Sequence, residues 1–246
     1  MRGEAANICT AAILLPRLRK GELPPSQKDS FMLTPSEIYQ TLLAAYGRPR
    51  WWSEDPYRVM FQAVLVQNTA WANVEKTCAA LGEQIAPEKV ARLSPTELEE
   101  MIRPCGFCKS KASTIFSLTR WYQGYGFDQA VVRAVPQDRL RGELLSLRGI
   151  GPETADVVLT YAFYKPAFIV DAYTRRLLQR LGYSFPDDGA IRSSFERGLP
   201  RDAEVYGHLH WLILDHGIQH CKKAPQCQGC CFQGLCHENP PPGAGP

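Results

Sequence analysis

The segment 144–176, LLSLRGIGPETADVVLTYAFYKPAFIVDAYTRR, constrains this chain more than any other stretch. Leu144, Leu145 and Leu147 share one face of a helix, Gly149-Ile150-Gly151 interrupts it, and Pro152 brings the fixed φ that suits the first turn of a second helix. The expected product is helix, tight hairpin, helix. Two glycines let the hairpin backbone approach a ligand, and the new helix start offers unpaired N–H groups and the positive end of a dipole. That suits a nucleic-acid phosphate and reads no base sequence. An isolated G-x-G is more often a plain interhelical turn.

The context favours the first reading. Lys165-Pro166 stops the second helix, the apolar run 167–170 follows, and Asp171 then opens an amphipathic segment, 172–181, carrying Leu177, Leu178 and Leu181. Asp171 is therefore expected at or beside an N-cap, which is also its plainer reading.

LRGIGPETADVVL and VDAYTRR resemble the helix-hairpin-helix DNA glycosylases of the endonuclease III superfamily. The resemblance implies an endonuclease III-like, two-lobed, all-α fold, a hairpin at Gly149, Ile150 and Gly151 that grips DNA backbone, and Asp171 as the catalytic carboxylate. Bifunctional members carry a lysine two residues after the second hairpin glycine. Here that position is Glu153, which cannot form an imine, so a monofunctional enzyme is expected and AP-lyase activity is doubtful.

Periodicity independently predicts the all-α class. Thr34-Pro35-Ser36-Glu37 and Ser94-Pro95-Thr96-Glu97 are capping boxes, and Asp55-Pro56 opens a helix so continuously apolar that it belongs at the centre of a bundle. Further helices are expected over 73–84, from Lys109 onward, and from Val135-Pro136 to Leu147. Strand patterns are hard to find. The expected organisation is a loosely ordered extension over 1–33, a hairpin-bearing domain over 56–165, and a second helical domain from 34–55 plus 166–240.

The central helix ends in Gln67-Asn68-Thr69, inside FQAVLVQNTAWANVEK. Polar amides there either cap the helix or face DNA. The resemblance implies that Gln67 enters the gap left by an extruded nucleotide and that Asn68 supports the turn. Lys109 and Lys111, at a helix start, are placed to reach phosphate, although a solvated face is the commoner outcome. The Cys105/Cys108 pair is read as a simple turn.

A net charge of +3 permits an acidic partner without requiring one. Five of the nine cysteines crowd between Cys221 and Cys236, which is metal-ligand clustering rather than stapling of distant loops. With no long apolar run and no signal-peptide pattern, the chain reads as a reduced, intracellular protein, cytoplasmic or nucleoid-associated if bacterial, not a membrane protein, and a monomer.

Cys221-x5-Cys227-x2-Cys230-x5-Cys236 can enclose tetrahedral zinc or a [4Fe–4S] cluster, and spacing does not choose. The preceding HWLILDHG and the loop after it resemble the C-terminal iron–sulfur segment of endonuclease III, which implies the cluster. The first interval is one residue shorter than the family's usual six, Cys231 offers an alternative register to Cys230, and zinc with His220 or His237 is the minor alternative. Such a site, saturated and remote in sequence from Asp171, would be structural and would hold Lys222 and Lys223 toward phosphates.

Trp51-Trp52 and Trp71 flank the two ends of the central helix. Trp52 is assigned to the core by default, and Trp51 and Trp71 to a base pocket. WW, QNTAW and GIGPETAD together look similar to the 3-methyladenine glycosylase branch of the superfamily, which implies an alkylated purine flipped out of damaged double-stranded DNA. The alternatives are an oxidised-pyrimidine glycosylase with lyase activity and a non-catalytic, zinc-containing DNA-binding module.

Overall fold

A computed structural model describes residues 32–236, and every regular element among them is helical. The expected extension over 1–33 and His237 lie almost wholly outside the described residues. In chain order the helices are α1 (Pro35–Tyr46), α2 (Pro56–Leu65), α3 (Trp71–Leu81), α4 (Pro87–Val90), α5 (Pro95–Met101), α6 (Cys108–Gln123), α7 (Gln129–Ala134), α8 (Gln137–Ser146), α9 (Pro152–Val157), α10 (Ala172–Arg180), α11 (Asp188–Gly198) and α12 (Ala203–Gln219). None of them is long and apolar enough to cross a membrane.

Local chemistry explains most starts. Thr34 and Ser94 form complete capping boxes with Glu37 and Glu97, and Asp55 accepts from the N–H groups of Tyr57 and Arg58. Proline stands in the first turn of α1, α2, α5 and α9, where a missing N–H costs nothing. α3 starts at Trp71, two residues before the expected Asn73, with no side-chain cap at Ala70. α9 does not continue as an α-helix to Tyr164 but widens at Val158–Ala162 into a π-helical turn.

The helices enclose two apolar cores. The first is built around α2, in which every residue from Val59 to Leu65 is buried, with Val74, Ile115, Leu118, Leu140 and Leu144 packed about it. The second gathers Ile38 and Leu42 of α1 with Leu177, Phe195, Leu209 and Ile213 from the last three helices. Between them the chain is extended after Tyr164, and its side chains alternate: Ala167 and Ile169 enter the first core, Phe168 and Val170 the second. One short apolar run thus stitches both cores together. A buried carboxylate adds to the seam, because Asp156 of α9 accepts from Arg141 of α8 at 2.7 Å and from Arg192 of α11 at 3.0 Å.

Candidate active site

The seam ends at Asp171, which is buried at the N-cap of α10. Its two oxygens have separate surroundings. Oδ1 accepts from the Thr174 N–H at 2.7 Å, and Oδ2 lies 3.8 Å from Nε2 of His210, also buried, on α12. The capping reading therefore describes one oxygen, and the other is not used by the cap. Behind His210 stands Tyr161 of the π-helical turn, fully enclosed, whose hydroxyl donates to the Gly207 carbonyl at 2.6 Å and lies 3.0 Å from His210 Nδ1.

The hairpin lies between α8 and α9, and Glu153 at the start of α9 feels the charge of Asp171. Ile150 anchors the hairpin: the side chain is buried and its N–H donates to Leu147. Both the side chain and the N–H of Ile150 are thus engaged within the protein. The N–H groups of Gly149 and Gly151, in contrast, have no hydrogen bond among the described residues. The two glycines serve different ends. Gly149 has φ +87 and abuts Thr114 of α6, so a side chain is excluded twice, whereas a Cβ on Gly151 would meet nothing within 4 Å. The fold requires the first glycine; the second leaves open space at the start of α9.

Glu153 sits in the first turn of α9, exposed along its side chain. Shielding of its carboxyl by the surrounding protein, and then the negative charge of Asp171, raise its pKa. The site therefore presents two carboxylates, with no amine where a lyase lysine would stand.

Gln67, at the end of α2, donates through Nε2 to the Gly149 carbonyl at 3.1 Å and to Thr154 Oγ1 at 3.0 Å. It lies beside the hairpin, engaged rather than projecting. Asn68, exposed, takes the left-handed conformation at φ 52, which asparagine tolerates in turns. The expectation for Lys111 is corrected. Its ammonium is buried and donates to Leu65 O at 2.8 Å, Thr69 Oγ1 at 2.6 Å and Cys105 O at 2.8 Å, so it closes the end of α2 instead of meeting phosphate. Burial lowers its pKa. Lys109, two residues earlier, is exposed.

The aromatic residues form a file. Trp71 meets Trp52 edge to face at 5.4 Å, Trp52 meets Tyr161 at 5.2 Å, and Tyr161 meets Trp51 at 5.0 Å. Trp51 also stacks on Tyr164 at 4.9 Å. Trp51 and Trp71 thus lie in one cluster with Trp52 and Tyr161 between them, and Trp52, half-buried, is not simply core. Gly207 in the middle of α12 is explained here: a Cβ would sit 2.7 Å from the Trp51 ring.

Cys221, Cys227, Cys230 and Cys236 occupy the loop after α12, none in a disulfide. Burial raises the Cys230 pKa first, and the charges of Cys236, Cys227 and Cys221 raise it further. Cys231, pushed up to about 12 by burial, feels only Cys230 among them. Arg180 donates to Cys221 Sγ at 3.2 Å and to the carbonyls of Lys222 and Lys223. The donor set, four thiols beside a guanidinium, suits a thiolate-held group, although among the described residues no three His, Cys, Asp or Glu side chains close around a single ion. Lys222 and Lys223 are exposed, and Lys222 Nζ reaches Gln226 Oε1 at 3.0 Å.

Tyr161 and His210 were not legible beforehand as site residues. Tyr161 lies in an apolar helix, and HLHWLILDHG reads as an approach to the cysteines. A polar ring inside each run was the available signal.

A helix-hairpin-helix followed by a buried aspartate, on two helical cores, defines a DNA glycosylase of the endonuclease III kind. Residues 61–201 match the model of the HhH-GPD superfamily of base excision DNA repair proteins, and the chain belongs to that family. It is 38% identical over 207 residues, 81% of this chain and 94% of the other, to a Methanocaldococcus jannaschii protein named by inference as a DNA repair glycosylase. It is 32% identical to endonuclease III of Thermotoga maritima, over 74% of this chain and 83% of that one. Among solved structures it resembles H. pylori 3-methyladenine DNA glycosylase bound to 1,N6-ethenoadenine (TM-score 0.66, 26% identity, 76% of this chain and 98% of that one). It equally resembles a trapped endonuclease III–DNA covalent intermediate (TM-score 0.69, 29% identity, 84% and 97%).

Proposed function

We propose that this protein is a monofunctional glycosylase that hydrolyses the N-glycosidic bond of a flipped, alkylated purine in double-stranded DNA, acting as a monomer inside the cell. The observation that carries the monofunctional half is Glu153: a carboxylate next to Asp171 cannot form the imine that strand cleavage requires. Breaking the glycosidic bond builds positive charge on the sugar, and the Asp171 oxygen not used for capping is the group to stabilise it and to orient water.

Supporting the substrate half are the aromatic cluster of Trp51, Trp52, Trp71 and Tyr161, reached from Asp171 through His210, and the likeness to a glycosylase solved with a modified adenine. Electron-poor alkylated rings stack well on such surfaces. In this reading Gly149 and Gly151 grip phosphate with their unpaired N–H groups, Gln67 leaves the hairpin to fill the vacated stack, Asn68 holds its turn, and Lys109, Lys222 and Lys223 add sequence-independent attraction. The two cores become two lobes on either side of the lesion.

Cys221, Cys227, Cys230 and Cys236 would hold a [4Fe–4S] cluster, with Cys231, which lies beside His216 as Cys230 does, the alternative to Cys230. Held by four cysteines, such a cluster would stiffen the loop rather than supply chemistry to the substrate. Zinc in its place is the minor alternative.

A second reading, an oxidised-pyrimidine glycosylase with lyase activity, is favoured by the likeness to the endonuclease III covalent intermediate. Borohydride trapping separates the two. Duplexes each carrying one lesion, scored separately for base release and strand cleavage, should show release of N-methylated purines from an intact strand and little covalent adduct. Lys165 is a poor contaminating nucleophile, because its ammonium donates to the Arg133 and Val135 carbonyls at 2.6 and 2.8 Å. Efficient trapping on the unmodified protein would overturn the monofunctional reading.

A further inference from the structure

The hydrogen bonds behind Asp171 determine which nitrogen of His210 carries its proton. A phenol has one hydrogen, and that of Tyr161 goes to the Gly207 carbonyl, which can only accept. The contact at 3.0 Å between Tyr161 Oη and His210 Nδ1 then requires Nδ1 to donate. A neutral His210 therefore has no hydrogen on Nε2, and this bare nitrogen faces Asp171 Oδ2 at 3.8 Å. Two acceptors thus face each other, and neither receives a hydrogen bond from the other described residues. At 3.8 Å the two atoms stand within ion-pair reach, and a proton on Nε2 would draw them into a charge-assisted hydrogen bond.

We propose that His210 is a positioning residue and proton acceptor for Asp171, held in its Nδ1–H tautomer by Tyr161 and offering its bare Nε2 to Oδ2. This rests on the hydrolytic glycosylase reading above. As the C1′–N bond breaks, its electron pair neutralises the N-methylated cationic purine, which leaves without a proton. The attacking water forms the new C1′–O bond and loses a proton to Asp171 Oδ2. Nε2 accepts that proton from Oδ2 and restores the carboxylate; the imidazolium then releases it to solvent as product departs.

Oδ1 stays bonded to Thr174 throughout, so the carboxyl cannot rotate away from the imidazole. The titratable groups facing His210 are Asp171 from the start of α10 and Tyr161 from the π-helical turn, and Glu153 of α9 acts on Asp171. Burial lowers the His210 pKa, with Asp171 opposing. The Tyr161 pKa is raised well above its usual value by burial and then by Asp171, so the phenol keeps its hydrogen.

The test measures single-turnover release of methylated purines from dimethyl sulfate-treated duplex DNA across pH. His210→Gln keeps a polar atom near Nε2 but accepts no proton; His210→Asn keeps a donor near Nδ1 and removes Nε2. Both should release base about 100-fold more slowly, a typical general-base contribution, while binding an uncleavable duplex within a few-fold of the parent. Tyr161→Phe, which removes the tautomer's anchor, should lose about tenfold. In the unmodified protein the rate should fall with falling pH as His210 takes up its proton, and in both His210 variants the midpoint of that fall should move. Parental rates in both His210 variants, or slower rates with an unmoved midpoint, would overturn the proposal. If the unmodified protein releases another base instead, the substrate reading fails and the same comparison is made on that base. Efficient borohydride trapping would remove the hydrolytic route itself, whatever His210 does.

Discussion

At the scale of single residues, the division of labour within Asp171 is the main result. One oxygen caps α10 and the other faces His210, so the structural and chemical duties separate under substitution. Asp171→Asn retains an oxygen for the Thr174 N–H but loses the charge. Base release should be abolished, with DNA affinity within a few-fold and the thermal midpoint nearly unchanged. Asp171→Ala should also lose the cap, about 1 kcal/mol, and so melt roughly 2–4 °C lower. Loss of binding in parallel with turnover for the asparagine variant would reduce Asp171 to a cap. Lys111 shows the reverse division: a charge that reads as a phosphate ligand is used up by three oxygens at the end of α2.

At the scale of elements, the hairpin is two devices in three residues. Gly149 is needed by the fold, since a side chain there meets both a left-handed backbone and Thr114; Gly151 is needed only if something external comes close. Gly149→Ala should destabilise the protein by more than the ~1 kcal/mol typical of an unfavourable glycine replacement, because strain and collision add. Gly151→Ala should leave the thermal midpoint within error and weaken binding to undamaged duplex DNA. Equal loss of stability in both variants would show that the second glycine, too, serves only the turn. α7 and α11 went unread although Asp128 and Asp187 cap them, because a lone aspartate is a weaker start signal than the capping boxes and prolines of α1, α2 and α5.

At the scale of the whole molecule, the two cores meet along the seam 167–170, and the charged triad of Arg141, Asp156 and Arg192 spans it. Beyond this seam the cysteine loop presents Lys222 and Lys223 to solvent, with both carbonyls tied to Arg180. Replacing both lysines by alanine should weaken binding to all duplex sequences alike and reduce the salt slope by roughly one unit per lost phosphate contact. An unchanged slope would show that this loop does not touch DNA. The purified protein should be yellow-brown and contain about four irons per chain; colourless, folded protein with stoichiometric zinc would replace the cluster by the minor alternative.

The sequence by itself determined the helical class, the hairpin, the entry of Asp171 into α10 and the grouping of the cysteines, because each depends on neighbours within a few residues: caps, prolines, glycines and close spacing. Only the tertiary structure decided where Lys111 sends its charge, that Ile150 faces inward, and that Trp52 and Tyr161 stand between Trp51 and Trp71. The placing of His210 behind Asp171, from a helix more than thirty residues further on, belongs with these. Such partnerships are set by how two separate cores are brought against one seam, and no local pattern records which buried polar group will meet which.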